Sequence, residues 1–471
     1  MADVILYNCL SINHAPIRPI GPHQIASWLR TYGYSVKVID FCNFLSSDEL
    51  YNLTLAHIDN NTKAIGVSST FWSEKPYLTI SLDLYGVPDY IEPDWVVNIR
   101  EKLSGYNFEW LLGGVYSTFN KELFRFTWRT FHGFAEDQIL KFMDELSGNK
   151  RNNSNFDIIN LESRFSADNS IQPTEVLPIE LSRGCQFKCS FCRYPLLGKK
   201  KNTYIRSMEH IKQEFIYNYE NFGTTKYFFM DDTVNESEEK IVGLEQIVNN
   251  LPFKLQWIGY NRLDLIGVKK HTIEILKNTG LVSSYFGIES FHPKASKIIG
   301  KGWNGTYAKD FLLELKEKWG PDTNFYLQFL IGLTGETETD IENTFEWCVK
   351  NNMPEWHFGP LNIRLDKNFV TESEFDKNHR IYGYKFEPSS FYKWFNKEWT
   401  YNQAVLKSRD LNTRAKDYIF LSSWLLGEIS THGQSLKELM HTKRSQIDWS
   451  SLIVNSKTFV NQYVSKQLKL L

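Results

Sequence analysis

The chain has 471 residues, of which 42% are hydrophobic, 15% aromatic and 23% charged, and 53 basic against 55 acidic side chains leave a formal net charge of −2. That balance excludes a disordered chain, which has fewer apolar residues and more net charge. It also supplies no general pull towards nucleic acid or anionic lipid. Six cysteines in so long a chain are too sparse for a disulfide scaffold, and the length suggests roughly three domains.

The first residues carry Asp3 and no basic segment ahead of an apolar run broken at Asn8, so no secretory signal is expected. No stretch approaches the roughly 18 apolar residues of a membrane helix. A cytoplasmic location is expected, with reduced or metal-bound cysteines. Val4 to Asn8 reads as a first strand and Pro22 to Tyr32 as a helix with Ile25, Ala26 and Leu29 on one face. A strand at Val36 to Asp40, a helix near Ser47 to Ile58, and strands at Ala64 to Ser69 and Trp110 to Leu112 follow. This alternation over residues 1–150 predicts a Rossmann-like parallel sheet with covering helices. Ligands in such sheets sit beyond the carboxyl ends of the strands. The residues there are Ser68, Ser69, Thr70, Gly113 and Gly114, although a Gly-Gly pair also serves as a simple turn.

Residues 151–175 are polar and rich in Asn and Ser, which reads as a linker. Six strand runs then recur, beginning at Leu177, Lys226, Leu255, Ser284, Phe325 and His357, with helical sequence between them. They predict a partial (β/α)6 barrel over residues 176–370, with its chemistry at the carboxyl ends of the strands. Residues 371–471 read as a mainly helical, aromatic-rich region.

Three cysteines lie within eight positions, at Cys185, Cys189 and Cys192, directly after the first of these strands. Three thiolates can hold three irons of a [4Fe–4S] cubane and leave the fourth iron open. A structural zinc site would need a fourth ligand, for which His210 is the nearest candidate. Of the other cysteines, Cys9 and Cys42 fall in the N-terminal domain, and Cys348 reads as a small buried hydrophobe.

The C-x3-C-x2-C spacing, with Phe191 before the last cysteine, resembles the radical S-adenosylmethionine superfamily. The likeness extends to Tyr204 to Phe215, to Trp257 to Asp264, to Phe286 to Ser290 with Ile298 to Gly302, and to Phe329 to Thr344, where Thr334 replaces a usual Pro. The resemblance implies that Cys185, Cys189 and Cys192 ligate a [4Fe–4S] cluster that reductively cleaves S-adenosylmethionine to a 5′-deoxyadenosyl radical. It places Phe191 near the adenine. Asp231, Arg262, Gly287, Glu289 and Ser290 would line the S-adenosylmethionine pocket, and Gly332 would allow close approach of the adenosyl group. Asp231, Arg262 and Glu289 could equally be a strand-end turn, an ion-pair partner and a capping carboxylate.

The N-terminal domain resembles the cobalamin-binding type through Gly21 to Asp40, Leu111 to Thr118 and His132 to Asp137, with Phe134 in place of the first Glu of the last motif. No Asp-x-His-x-x-Gly motif, whose His ligates cobalt, occurs in the chain. His14 is a poor substitute. The expectation is a cobalamin-dependent methyltransferase of an unactivated carbon. The alternatives are a radical enzyme without cobalamin (dehydrogenation, cyclisation or epimerisation) and a methylthiotransferase-like enzyme. The last would need three N-terminal cysteines. The implied partners are a small-molecule or peptide substrate and a one-electron reductant of the flavodoxin or ferredoxin type, with no membrane and no nucleic acid. Lys199, Lys200 and Lys201 read as a solvated turn, and the aromatic run from Phe391 to Phe395 as core.

Overall fold

The computed structural model describes residues 1–10, 17–72, 91–114, 117, 121–151, 155–193, 204–301, 305–365, 372–388, 390 and 392–469. His14, Lys199 to Lys201, Gly302 and Phe391 lie outside them. Within them no helix is long and apolar enough to cross a membrane.

Five short strands form the first sheet: β1 (Val4–Tyr7), β2 (Val36–Ile39), β3 (Ala64–Ser68), β4 (Glu109–Gly113) and β5 (Arg129–Thr130). They are parallel in the order β2-β1-β3-β4-β5. The chain leaves β1 in one direction and returns beyond it in the other, so the carboxyl ends of β1 and β3 open a crevice at the switch point. Helices Gly21–Thr31 and Glu136–Ser147 cover one face, and helices Ser47–Leu55 and Asp94–Lys102 belong to the other. Pro22 lies in the first turn of the first of these, where its missing N–H costs nothing. A reciprocal Ser46–Glu49 capping box starts the helix at Ser47.

The second sheet has six parallel strands in sequence order: β6 (Val176–Ile179), β7 (Lys226–Phe229), β8 (Gln256–Asn261), β9 (Leu281–Glu289), β10 (Asn324–Ile331) and β11 (Glu355–Pro360). This is the expected partial barrel. Its outer face packs on its helices in one large core that includes Trp257, Phe286, Leu327 and Phe358. The register of β9 against β10 slips between Gly287 and Glu289, a bulge that bends the strand's carboxyl end.

The stretch expected to be a linker has little regular structure but is docked. Phe165 and Ile171 join the barrel core, and Glu175 is buried against Arg18. The C-terminal region is mainly helical, with a small hairpin pairing Lys385–Phe386 to Trp394–Phe395. Its last helix, Trp449–Lys469, returns to the first domain. There Phe459, Val460, Tyr463 and Val464 complete the core under Phe41 and Leu50. Arg18 is the hub of that junction. It bonds Asp40 at 2.5 Å and Glu175 at 2.7 Å, and lies against the rings of Phe41 and Tyr463. Burial works against charge there, yet His23 and Arg18 hold the Asp40 carboxyl well below its usual range.

Candidate functional site

The cysteine loop rises from the carboxyl end of β6. Arg206 Nη1 donates to the carbonyl of Glu180, and the backbone N–H of Arg183 donates to the carbonyl of Tyr204. Ser190 anchors the middle of the loop, its N–H to the carbonyl of Ile299 and its Oγ to that of Ile298. Arg193 closes it with a bidentate pair to Asp376 of the C-terminal region. The three cysteines are half-buried, and none is in a disulfide. Among the described residues no three His, Cys, Asp or Glu side chains gather as they would around one metal ion. A tetrahedral zinc site would hold sulfurs only about 3.8 Å apart. In a cubane each cysteine takes a separate iron, so wider spacing is expected. Three cysteines are one ligand short of a structural zinc site and match the three protein ligands of a cubane with an open iron, and His210 sits elsewhere, facing Glu162.

Polar groups converge on this loop from neighbouring strand ends. Arg262, directly after β8, donates Nη1 to Cys189 Sγ at 3.4 Å and lies 4.0 Å from the Phe187 ring centroid. Burial opposes its charge, but Asp264 holds the guanidinium above its ordinary pKa. Cys185 Sγ meets Thr233 Oγ1 at 3.4 Å, and burial pushes that thiol up. Glu289 ends β9 with φ of 67°, a left-handed conformation that is costly for a side-chain-bearing residue. A Cβ on Gly287 would lie 2.3 Å from Glu289 Oε1, so a side chain at 287 would push the carboxylate out of this position. Burial raises Glu289 to about 7, against the opposing charges of Lys301 and Arg262. Lys301 Nζ lies 3.9 Å from Oε1 and donates to the carbonyl of Gly287.

Other expected pocket residues are placed differently. Asp231 is fully buried. Its oxygens accept from the Leu181 N–H, Ser182 Oγ and Lys240 Nζ, the last at 2.6 Å. Glu236 completes that sealed group, which braces the base of the loop. Its neighbour Asp232 is the exposed carboxylate of the pair. Ser290 donates to the buried Glu336 at 2.5 Å. Phe191 packs half-buried on the barrel core. Gly332, with φ of 106°, is approached by the Trp394 indole, whose Cζ3, Cζ2 and Cη2 edge would come to 2.1 Å from an added Cβ. The close neighbour that demands glycine there is a residue of the C-terminal region, because Trp394 is locked by its Nε1 bond to the Leu361 carbonyl. Lys240, Lys301, Glu336 and Trp394 were not singled out from sequence. Lys301 lay in the Gly-Lys-Gly motif, Glu336 in the Phe329 to Thr344 segment and Trp394 in the aromatic run from Phe391 to Phe395, whereas Lys240 had no signal.

In the first domain a cavity of about 300 Å³ opens at the carboxyl ends of β1, β3 and β4. Ser68, Thr70, Gly113 and Gly114 line it, together with Gln24, Phe134 and Glu136. Ser69 does not line it. Its N–H and Oγ both bond the Gly113 carbonyl and hold the turn. Gly114 has φ of 86°, and a Cβ there would meet Thr70 Oγ1 at 2.6 Å. The two βα loops touch backbone to backbone for that reason. One wall of the cavity is Arg183 of the cysteine loop.

An open parallel sheet with a crevice at its switch point precedes a six-stranded partial barrel whose cysteine loop leaves the first strand. That combination defines a two-domain α/β architecture with the cysteine loop at the barrel's carboxyl end. Residues 179–348 match the family model described as the Radical SAM superfamily and form a domain of that superfamily. An uncharacterised methyltransferase from Pyrococcus horikoshii is 28% identical over 170 residues, which are 36% of each chain. A ribosomal protein uS12 methylthiotransferase from Bdellovibrio bacteriovorus is 25% identical over 237 residues, 46% of this chain and 44% of that protein. This chain thus spans less than half the length of these curated relatives. Among solved structures, the radical S-adenosylmethionine methyltransferase TsrM from Kitasatospora setae, with cobalamin and a [4Fe-4S] cluster bound, has a TM-score of 0.63 at 13% identity, covering 100% of both chains. The cobalamin-dependent S-adenosylmethionine radical enzyme OxsB gives 0.54 at 15% identity, over 75% of this chain and 52% of that one. At such identities the two structures share the fold.

Proposed function

We propose that this protein is a radical S-adenosylmethionine enzyme that uses a [4Fe–4S] cluster and cobalamin to methylate an unactivated carbon. The observation that carries the reading is the contact of Arg262 with Cys189 at the barrel's carboxyl end, beside the strained Glu289. Cys185, Cys189 and Cys192 would hold the cluster, which when bound supplies the single electron that cleaves S-adenosylmethionine. Arg262 keeps positive charge against a thiolate and thereby favours the electron-rich state. Glu289 and Lys301, facing one another, offer an acceptor and a donor to the amino and carboxylate groups of an amino-acid ligand. Asp232 adds an exposed carboxylate at the same rim.

Ser68, Thr70, Gly113 and Gly114 fit a flat ligand laid on backbone, and would hold cobalamin. Cobalamin when bound supplies a cobalt centre able to accept and donate a methyl group. No Asp-x-His-x-x-Gly motif provides a ligand from below. Arg183 joins the wall of that cavity to the cysteine loop, so both cofactors would face one cleft. The methylthiotransferase alternative needs a second N-terminal cluster. Its two available cysteines, Cys9 and Cys42, are fully buried within the first core.

Anaerobic reconstitution with iron and sulfide, followed by electron paramagnetic resonance and a 5′-deoxyadenosine assay, tests the reading. A rhombic signal perturbed by S-adenosylmethionine and absent in Cys189→Ala is expected. No signal in the wild type, or an unchanged one in the variant, overturns it. Retention of about one hydroxocobalamin per chain after desalting tests the second cofactor.

A further inference from the structure

The middle of the cysteine loop is held from outside by two short helices. Ser190 bonds the carbonyls of Ile298 and Ile299 through its Oγ and N–H, and its own carbonyl accepts from the Phe375 N–H. The helices Pro293–Ile298 and Glu374–Asn378 therefore flank the loop. The turn after β10 bridges them. Thr334 Oγ1 donates to the Tyr382 carbonyl, and a Cβ on Gly335 would meet Lys294 Cδ at 2.8 Å. A Cβ on Gly300 would lie 3.7 Å from the Lys188 carbonyl oxygen and 4.0 Å from Cys189 Cα, so the loop rests on the end of the first helix. These contacts join residues 185–193, 292–301, 332–336 and 372–383 into one continuous surface around Ser190, the neighbour of Cys189.

That surface is basic. Lys188, Lys294, Lys297, Lys377 and Arg380 are exposed, and none of them pairs with a carboxylate among the described residues. The Lys294 stem lies along Gly335 and leaves its ammonium to water. The exposed carboxylates of the same segments are Glu372 and Glu374, and Glu374 Oε1 already accepts from Asn378. Arg193 and Lys301 turn inward, to Asp376 and to the Gly287 carbonyl. In a chain of net charge −2 this is a local excess of positive charge. Elsewhere on the surface cations are matched, as in Lys269 with Glu238 and Lys270 with Glu314. Like charges gathered without partners project a field into solvent. Ile381 stands beside Arg380 and is 80% exposed, which offers an apolar contact within a charged rim.

We propose that this surface docks a small acidic electron-transfer protein that delivers the electron to the cluster. The proposal deepens the reading above by assigning where the reductant binds, and it rests on that reading for the presence of the cluster. One electron leaves the partner's reduced flavin or iron–sulfur centre and enters the cluster, and no bond forms or breaks. The three cysteines are half-buried, so the acceptor lies close under this surface. Opposite charge raises the encounter rate and orients the partner with its redox centre towards the loop.

The test titrates the anaerobically reconstituted full-length protein with a bacterial flavodoxin, an acidic flavin-carrying protein, by calorimetry. Stopped flow then follows cluster reduction by the reduced flavodoxin. Binding is expected to weaken about tenfold between roughly 0.05 and 0.5 M salt. Lys294→Glu with Lys297→Glu, and separately Lys377→Glu with Arg380→Glu, should each weaken binding and slow reduction by flavodoxin about tenfold at low salt. Reduction by dithionite, which needs no docking, should stay within about twofold in both. Lys457→Glu with Lys466→Glu, exposed on the last helix, should change neither rate. The two pairs lie on different helices, so one remains informative if the other misfolds. Salt-independent binding, or wild-type reduction rates in both pairs, overturns the proposal. Equally tight and equally variant-sensitive binding of a single-stranded RNA oligonucleotide also overturns it. Variant-sensitive flavodoxin binding by a protein with no cluster signal would instead support the docking surface and overturn the radical reading alone.

Discussion

Arg183 donates Nη1 to Glu136 at 2.5 Å, joining the loop that carries Cys185 to the helix that walls the N-terminal cavity. The same guanidinium bonds Glu180 and Gln24 and lies 5.0 Å from the Phe134 ring centroid. Phe134 stands where the related motif has Glu, and its ring supplies the face on which Arg183 rests. Removing one partner of a buried pair costs about 3–5 kcal/mol, because the other charge is stranded. Arg183→Met should therefore lower the thermal midpoint by several degrees, as measured by circular dichroism. It should also reduce hydroxocobalamin retention, because Arg183 forms part of the cavity wall. An unchanged midpoint with full retention would refute the link.

Gly332 meets both conditions that demand glycine, a positive φ and a near neighbour. Ala at 332 would place its Cβ against the buried Trp394 ring. Gly332→Ala should destabilise by on the order of 3 kcal/mol or more, read from the urea midpoint. Gly332→Ala with Trp394→Ala should be less destabilised than the sum of the singles, since the clash is shared. Strict additivity would remove Trp394 as the cause.

Glu336 is fully buried, and burial pushes it up to about 8, with the Ser290 hydroxyl opposing the shift. Its folded pKa lies above its unfolded one, so the folded chain binds the extra proton between about pH 4.5 and 8. Its contribution to stability is full at the acid end of that window and falls as pH rises through it. At about 1.4 kcal/mol per pH unit the loss amounts to a few kcal/mol. Glu336→Gln should flatten the slope and be relatively more stable at pH 8 than at pH 5, by urea unfolding at both values. An unaltered slope would place the titration elsewhere, for instance on Glu289 or Glu355, which burial also raises to about 7.

Arg262 brings positive charge to Cys189. Arg262→Gln should lower the reduction potential of the reconstituted cluster by tens of millivolts and slow 5′-deoxyadenosine formation, because the reduced state loses a stabilising neighbour. A redox titration followed by electron paramagnetic resonance measures this. A higher potential in the variant would reverse the assigned role.

The sequence by itself determined most of the architecture. Strand and helix periodicities differ, and parallel strands joined by helices allow few topologies, so both sheets were legible. The cysteine loop was legible because its ligands are local, within eight residues. Contacts between distant segments were not legible. Asp231 reads like a pocket carboxylate, but only the packing of Lys240 and Glu236 shows it sealed beneath the loop. Gly332 reads as making room, but only the fold shows Trp394 filling it. The last helix carries no signal that Tyr463 will bond the Asp40 N–H and cover Phe41. The basic surface around Ser190 depends on the fold, since Lys188, Lys294, Lys297, Lys377 and Arg380 come from three separate segments. Pattern fixes which face a residue takes, whereas close packing of the whole chain decides what it meets there.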